Sequence, residues 1–413
     1  MEKANFKLPA YLLIIMNALG FLLLFMANDY RANVLYVGLG LLGLFILIYS
    51  ILVICNMGDK FLVLIASMLM TLGVLMLCRL DIIMGARQIV WICIGGMVFF
   101  VTYCIYYNIR FWNRMWFLYA AGGIILFVLT LVLGKTVNGS RNWISFGPLS
   151  FQPSEIIKIF YIMFLACHYS GSWTKPFLRL SPTLMTGAVT YVYILFLVLQ
   201  RDWGTILVVF LIFIFMIYVY EEQKWFLFAN IASAAVVAAF GYLFLYHIQV
   251  RVGVWLDPWA DVSNKGYQIA QSLFAIAAGG YFGRGLGNGA PDYIPEVHTD
   301  FIFSAICEEM GVFGGAAVII LFFLLAYRCF KITLNTKNLY NKAVGLGITL
   351  MFALQTFIII GGVTKFIPLT GITLPFVSYG GTSVVVSFAS LGIMQAISAL
   401  EARKGGTERD ENE

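Results

Sequence analysis

Apolar runs of about 20 residues, the length a helix needs to cross the hydrocarbon core of a bilayer, recur along almost the whole chain. They lack the period-2 alternation of a membrane barrel, so the chain is constrained to an all-α, polytopic membrane fold. Of its 413 residues, 61% are hydrophobic and 11% are charged, far below the roughly one quarter of charged residues in a soluble domain. Lipid is the solvent for most of the fold. Cutting the runs at charges and at Gly/Pro breaks predicts spans near 9–26, 33–56, 61–78, 89–107, 116–134, 155–170, 183–199, 204–220, 226–248, 301–327, 343–362 and 374–399, about twelve transmembrane helices. No small-residue cleavage site follows Leu12 to Met26 and further spans come directly after it, so this run reads as a retained helix and not a signal peptide.

Lys and Arg in the loops set the orientation. With the N-terminus inside, inside segments hold roughly 15 basic residues and outside ones roughly 10, although the outside loops are longer. The cluster Arg328, Lys331, Lys337 and Lys342 and the tail residues Arg403, Lys404 and Arg409 decide it, and both termini are predicted cytoplasmic. The net charge of +6 is then explained by inside loops facing anionic membrane lipid, and nucleic acid is excluded as a partner. Seven cysteines fall mainly in or beside spans, with no C-x-x-C pair, and read as packed apolar thiols. His168, His247 and His298 are scattered singly, without metal-ligand spacing.

In such a chain the informative features are loops that are too long and polar residues that sit too deep. The first outside loop, Lys135 to Pro153, reads KTVNGSRNWISFGPLSFQP. Pro153 suits a first helical turn, which puts Glu155 and Lys158 one turn apart on one helix face, either as a structural ion pair or as part of a site. Trp143 beside Arg141 is either an interfacial anchor or a platform for a sugar or headgroup. A second loop of about 50 residues, Gln249 to Asp300, is too long for a simple connector. Within it, Gly266 to Ala278 fits a short interfacial helix carrying Gln268, Gln271 and Ser272. Gly279, Gly280, Gly283, Gly285, Gly287 and Gly289 follow, giving flexible or close-packed backbone; without a βαβ context they are no nucleotide fingerprint. The loop ends Pro295, Glu296, Val297, His298, Thr299, Asp300. Thr299 can cap the next helix with Asp300 in its first turn. Alternatively, Asp300 is an ionised carboxylate able to take a proton from a sugar hydroxyl. Gln200, Arg201 and Asp202 form a very short turn, and Lys365, Pro368, Gly371, Pro375, Ser378 and Tyr379 interrupt the last apolar stretch. Such breaks persist at membrane depth where backbone is buried in protein or lines a wet cavity.

The motifs RNWISFG with QPSEIIK, QRDWGT, DPWAD with GYQIAQSL, GLGNG with YIPEVHTDFIF and EEMG, and TLPFVSYGGTS follow one another from Arg141 to Ser383. In this set and order the chain resembles the shape, elongation, division and sporulation proteins, the group of RodA, FtsW and SpoVE. The resemblance implies a core of about ten transmembrane helices, here 61–400, preceded by an extra N-terminal pair, 1–60, and followed by a disordered cytoplasmic tail, 401–413. It further implies a glycosyltransferase of the bacterial cytoplasmic membrane that polymerises lipid II on the outer face, beside a class B penicillin-binding protein. QRDWGT stands where the family more often begins Gln-Pro-Asp or Gln-Lys-Asp.

Carried over by motif, the essential carboxylate is Asp300 as general base. The polar cluster of the first loop is Arg141, Trp143, Gln152, Ser154, Glu155 and Lys158. Joining two sugars needs a base for the 4-hydroxyl and positive charge for the departing pyrophosphate. Arg141, Lys158, Arg251 and Lys365 are the cations expected to supply that charge, with a divalent Mg or Mn ion as the one cofactor the leaving group could call for. Trp143 and Trp259 suit sugar or headgroup contact. Asp202, Gln268, Gln271, Glu296, His298 and Ser378 complete the expected substrate-binding set. Two rivals remain: a lipid II flippase, which would use intramembrane Glu155 and Lys158 as a path, and a noncatalytic scaffold, for which Asp300 would be dispensable.

Overall fold

The computed structural model describes residues 7–27, 31–137, 139–146, 149–171 and 181–410. Its helices are α1 (Lys7–Ala27), α2 (Ala32–Ile54), α3 (Lys60–Leu80), α4 (Ile82–Asn108), α5 (Trp116–Leu133), α6 (Pro153–Tyr169) and α7 (Pro182–Gln200). They continue with α8 (Trp203–Tyr220), α9 (Lys224–Phe244), α10 (Tyr246–Leu256), α11 (Tyr267–Gly279), α12 (Ile302–Asn335), α13 (Leu339–Val363) and α14 (Gly381–Asp410). Among the described residues, eleven of these are long and apolar enough to cross a membrane. With α6, whose 17 residues fall just short, they account for the twelve runs read from the sequence. The chain is a polytopic helical membrane protein.

Several boundaries differ from the sequence reading. The last span starts at Gly381 and not near 374, because Pro375 and a positive φ of 65° at Phe376 hold the preceding residues in a turn. The run expected at 226–248 ends at Phe244, and α10 is a separate helix. α14 runs on to Asp410 through most of the stretch expected as a tail from 401; a helix already formed adds residues at little cost. Residues 411–413 lie outside the described residues. The short helix expected over Gly266 to Ala278 is present as α11.

The first long loop contains three short strands: β1 (Lys135–Val137), β2 (Ser140–Phe146) and β3 (Leu149–Phe151). They form an antiparallel sheet in the order β1-β2-β3, with Lys135 opposite Trp143 and Ser145 opposite Ser150.

The chain forms two compact units, one of Met1–Asn108, Ala270–Asn335 and Thr373–Glu413, the other of Ile109–Ile269 and Thr336–Ile372. In the first, α3 is apolar on every face and is enclosed by its neighbours, 89% of its span being buried against 22% for α1, as expected of an all-apolar helix. Both ends of α3 are tied to α12 by a carboxylate and an arginine: Asp59 with Arg328 at the start, Arg79 with Glu309 at the finish. Glycines let α4 and α14 approach closely, since a Cβ at Gly392 would lie 2.6 Å from the Phe99 carbonyl, the packing mode of membrane helices. In the second unit α6 and α13 are enclosed, and Gly347 leaves room for Ile162. The buried Tyr193 hydroxyl there donates to the Tyr119 and Ala120 carbonyls at 3.0 and 3.1 Å.

Candidate functional site

Within the second unit the polar motifs converge on Asp202. Arg201 closes α7 in the left-handed region, φ 59°, so the chain reverses at once and Asp202 becomes the N-cap of α8, its Oδ1 accepting from the Thr205 amide at 3.1 Å. Its Oδ2 accepts from Ser154 Oγ at 3.0 Å and Gln152 Nε2 at 3.1 Å. The QPSE and QRD motifs are thus one network. One turn along α6, Lys158 Nζ lies 2.9 Å from Glu155 Oε1 and donates to Gln355 Oε1 on α13 at 3.0 Å. Ser154, Glu155, Lys158, Asp202 and Gln355 are buried and Gln152 is half-buried, so each buried charge depends on its partners. Gln355 was not singled out in the sequence; it sits in a predominantly apolar helix.

Arg141 on β2 is exposed and spends Nε on the Gly134 carbonyl at 3.0 Å and an NH2 group on that of Val132 at 3.3 Å. It therefore closes the C-terminal end of α5, a favourable place for a cation. Trp143 is half-buried beside it in the sheet. Arg251 on α10 donates to the Leu369 and Thr370 carbonyls at 3.0 and 3.1 Å, tying down the segment after Lys365, which itself has a φ of 60°. Burial first, and then the nearby Arg201 and Arg251, hold the His247 imidazole below its ordinary pKa. Trp259 is exposed in a 3-10 turn, Pro258–Asp261, and Gln268 is half-buried in the first turn of α11.

Within the first unit the HTD and VSYGG motifs meet. Glu296 adopts φ 55°, and its carbonyl accepts from the amides of Thr299 and Asp300 at 3.1 and 3.2 Å. The Thr299 hydroxyl also bonds back to that carbonyl, at 3.2 Å, and does not cap α12, which begins at Ile302. Asp300 is half-buried on the turn leading into the helix. Ser378 Oγ donates to the Thr299 carbonyl at 2.6 Å while accepting from the Leu374 amide at 2.9 Å. The Tyr379 amide donates to the His298 carbonyl at 2.8 Å, and the two rings lie 6.1 Å apart. Buried Gln88 on α4 donates to the Ser378 carbonyl at 3.2 Å. Exposed Glu296 approaches His298 at 3.8 Å. On α11, Gln271 is half-buried and Ser272 Oγ meets Ser304 Oγ at 2.7 Å. This unit presents a carboxylate on a turn fixed by backbone bonds from a second motif, an arrangement suited to a base that must keep its place.

Three charged residues outside the expected set stand out here: Arg79, Glu308 and Glu309 are hydrogen-bonded beside the glycine-rich stretch. The acid pair of EEMG was visible in the sequence; its basic partner on α3, 230 residues away, was not.

Residues 46–403 match the family described as cell cycle protein, FtsW/RodA/SpoVE. The peptidoglycan glycosyltransferase RodA of Mycobacterium leprae is 32% identical over 364 residues, covering 82% of this chain and 77% of the relative. The stage V sporulation protein E of Bacillus subtilis is 35% identical over 369 residues, covering 82% and 96%. Among solved structures, a chain from work on the structural coordination of polymerization and crosslinking by a peptidoglycan synthase complex superposes with a TM-score of 0.72. It is 28% identical, and the match covers 83% of this chain and 98% of that one.

Proposed function

The chain belongs to the cell cycle protein family of FtsW, RodA and SpoVE, and we propose that it is a peptidoglycan glycosyltransferase that polymerises lipid II into glycan strands. The observation that carries this reading is Asp300, half-buried on a turn whose two preceding carbonyls are held by Ser378 and Tyr379. Asp300 takes the proton of the acceptor's 4-hydroxyl as its oxygen attacks the anomeric carbon of the donor. The bond to the polyprenyl pyrophosphate breaks with inversion, and the pyrophosphate leaves carrying the electron pair. A hydroxyl this weakly acidic reacts readily only with a base in place.

The departing charge calls for cations. In this reading Arg141, Lys158, Arg251 and Lys365 supply them: Arg141 is exposed, Lys365 is half-exposed, and Lys158 also holds α6 to α13. Among the described residues no three His, Cys, Asp or Glu side chains gather. A Mg or Mn ion serving the pyrophosphate would therefore draw ligands mainly from the phosphates, as Mg²⁺ commonly does. Trp143, Trp259, Gln268, Gln271, Glu296 and His298 are the remaining substrate contacts in this reading. The protein resides in the bacterial cytoplasmic membrane with both termini cytoplasmic, and works with a class B penicillin-binding protein. The domain reading of an extra pair (1–60), a catalytic core (61–400) and a tail belongs to the same proposal.

A transport path needs accessible polar groups along its length, whereas Glu155 and Lys158 are buried and engaged with each other and with Gln355. The test uses detergent-purified protein with its cross-linking partner and lipid II, in micelles that have no two sides to flip between. Glycan strands in that assay support the polymerase. Their absence, with lipid II crossing the bilayer of reconstituted vesicles, would replace it by the flippase.

A further inference from the structure

α12 is broken at Gly311, whose φ of 68° and ψ of −170° lie outside any helix. In an unbroken helix the carbonyls of Glu308 and Glu309 would accept from the amides of residues 312 and 313. Here they accept from the amides of Arg284 and Gly285, both at 3.0 Å, while the Val312 and Phe313 amides donate to the carbonyls of Gly280 and Tyr281 at 2.9 and 3.4 Å. Segment 280–285 is thus spliced into the helix's own hydrogen-bond ladder. Gly283 and Gly311 are required by this contact: a Cβ on the first would stand 2.1 Å from the Glu309 carbonyl oxygen, and one on the second 2.3 Å from that of Tyr281.

The side chains of the same two glutamates hold the next stretch. Glu309, 1% exposed, accepts from Arg79 Nε at 2.8 Å and from the Gly287 amide at 3.0 Å. Arg79 extends its other donors to the carbonyls of Gly289 at 3.0 Å and Gly287 at 3.4 Å. Glu308, 3% exposed, accepts from the Ala290 amide at 2.9 Å and from Arg284 at 3.3 Å. From another side Ala27, the last residue of α1, abuts Gly287. Two carboxylates and two guanidiniums balance each other while fixing 280–290 by its backbone. The chain then runs ten residues from Ala290 to Asp300 and re-enters α12, and Glu308 lies about two turns further on. The segment bearing Asp300 is therefore anchored at its start by this cluster and at its end by Ser378 and Tyr379.

We propose that Arg79 and Glu309 are positioning residues for Asp300: their pair locks segment 280–290 into the break of α12, so that the return segment presents Asp300 in one fixed place. This rests on the reading of Asp300 as the base. The membrane helices α1, α3 and α12 thereby bear directly on the catalytic turn.

The experiment compares wild type with Glu309→Gln in the full-length protein with its cross-linking partner. It reads lipid II polymerisation and, separately, amide hydrogen exchange by mass spectrometry. Glu309→Gln keeps the side-chain shape and removes the charge facing Arg79. We expect faster exchange across 283–290, kcat lowered about 10- to 100-fold, as a misplacement of about 1 Å can produce, and KM within about threefold of wild type. If Glu309→Gln fails to fold, Arg79→Lys, which keeps the charge but not the fork, and Arg284→Ala, on a half-exposed side chain, carry the same test with smaller losses of kcat. Faster loop exchange with unchanged kcat would overturn the proposal. So would unchanged exchange, or a loss of activity that only follows the fraction of protein unfolded. Wild-type protein that makes no polymer would defeat the polymerase reading, while the exchange measurement would still score the splice.

Discussion

Replacing Lys158 by Met strands a buried carboxylate. Glu155 and Lys158 are 6% and 2% exposed and 2.9 Å apart, and Lys158 Nζ also serves Gln355. Removing one member of such a pair costs about 3–5 kcal/mol, because the other charge can no longer be hydrated. The donor lost by Gln355 adds about 1 kcal/mol. Glu155→Gln strands the ammonium and should cost about as much as the pair term alone. The double variant Glu155→Gln/Lys158→Met leaves no buried charge at nearly the same volume. It should recover to within about 1–2 kcal/mol of wild type, a coupling of at least about 5 kcal/mol. The assay is the unfolding midpoint of purified protein in detergent for all four members of the cycle, run beside glycan-strand formation. If stability and polymerisation both recover, the pair only joins α6 to α13; if stability alone recovers, one member also touches substrate. A double variant as unstable as the sum of the singles would refute the reasoning from mutual burial.

Gly311→Ala should lower the melting midpoint sharply, since a residue with a Cβ at φ 68° and ψ −170° costs about 1–3 kcal/mol by itself and the Tyr281 carbonyl occupies the same space; a wild-type melting curve would contradict the splice. Ser378→Ala removes the donor to the Thr299 carbonyl and should slow polymerisation tenfold or more, on the order of other small misplacements, with membrane insertion intact and partial rescue by Ser378→Thr. Glu221, at the C-cap of α8, bonds His168 Nε2 at 3.3 Å, and this contact, ahead of an opposing cost of burial, holds its carboxyl below the ordinary value. The stability it contributes is complete above the unfolded value of about 4.3 and is lost as pH falls through the lower folded value. His168→Ala lets the folded value rise back towards the unfolded one, so it should lower stability near neutral pH and shrink this acid-side loss in melting curves taken between about pH 3 and pH 6.

The membrane spans were legible because insertion depends on local composition, which each run of about 20 residues carries by itself. The capacity of Pro153 to start α6 and the place of Asp202 at a turn were legible for the same reason: caps and turns are local. What joins them is not. Asp202 reaches Gln152 and Ser154 across some fifty residues, and Lys158 reaches Gln355 across 197, with no periodicity linking the partners. The sheet in the first loop was not legible: β1 and β3 have three residues each, and β2, SRNWISF, lacks the apolar/polar alternation that marks a strand. The break in α12 left almost no trace. Gly311 stands in an apolar helix like many membrane glycines, and only the glycine-rich segment held against it shows why it is glycine. EEMG was a sound clue, because two adjacent carboxylates within a membrane span require partners.

The central claim is that Asp300 removes the proton that lets one glycan unit join another. Wild type and Asp300→Asn, each purified with the cross-linking partner, would be given the same lipid II, with substrate binding measured alongside strand formation. The account predicts strands from wild type alone and comparable binding by both, since Asn keeps the shape of the side chain and loses only its basicity. Strands of equal amount from Asp300→Asn would contradict it and move the base to another residue.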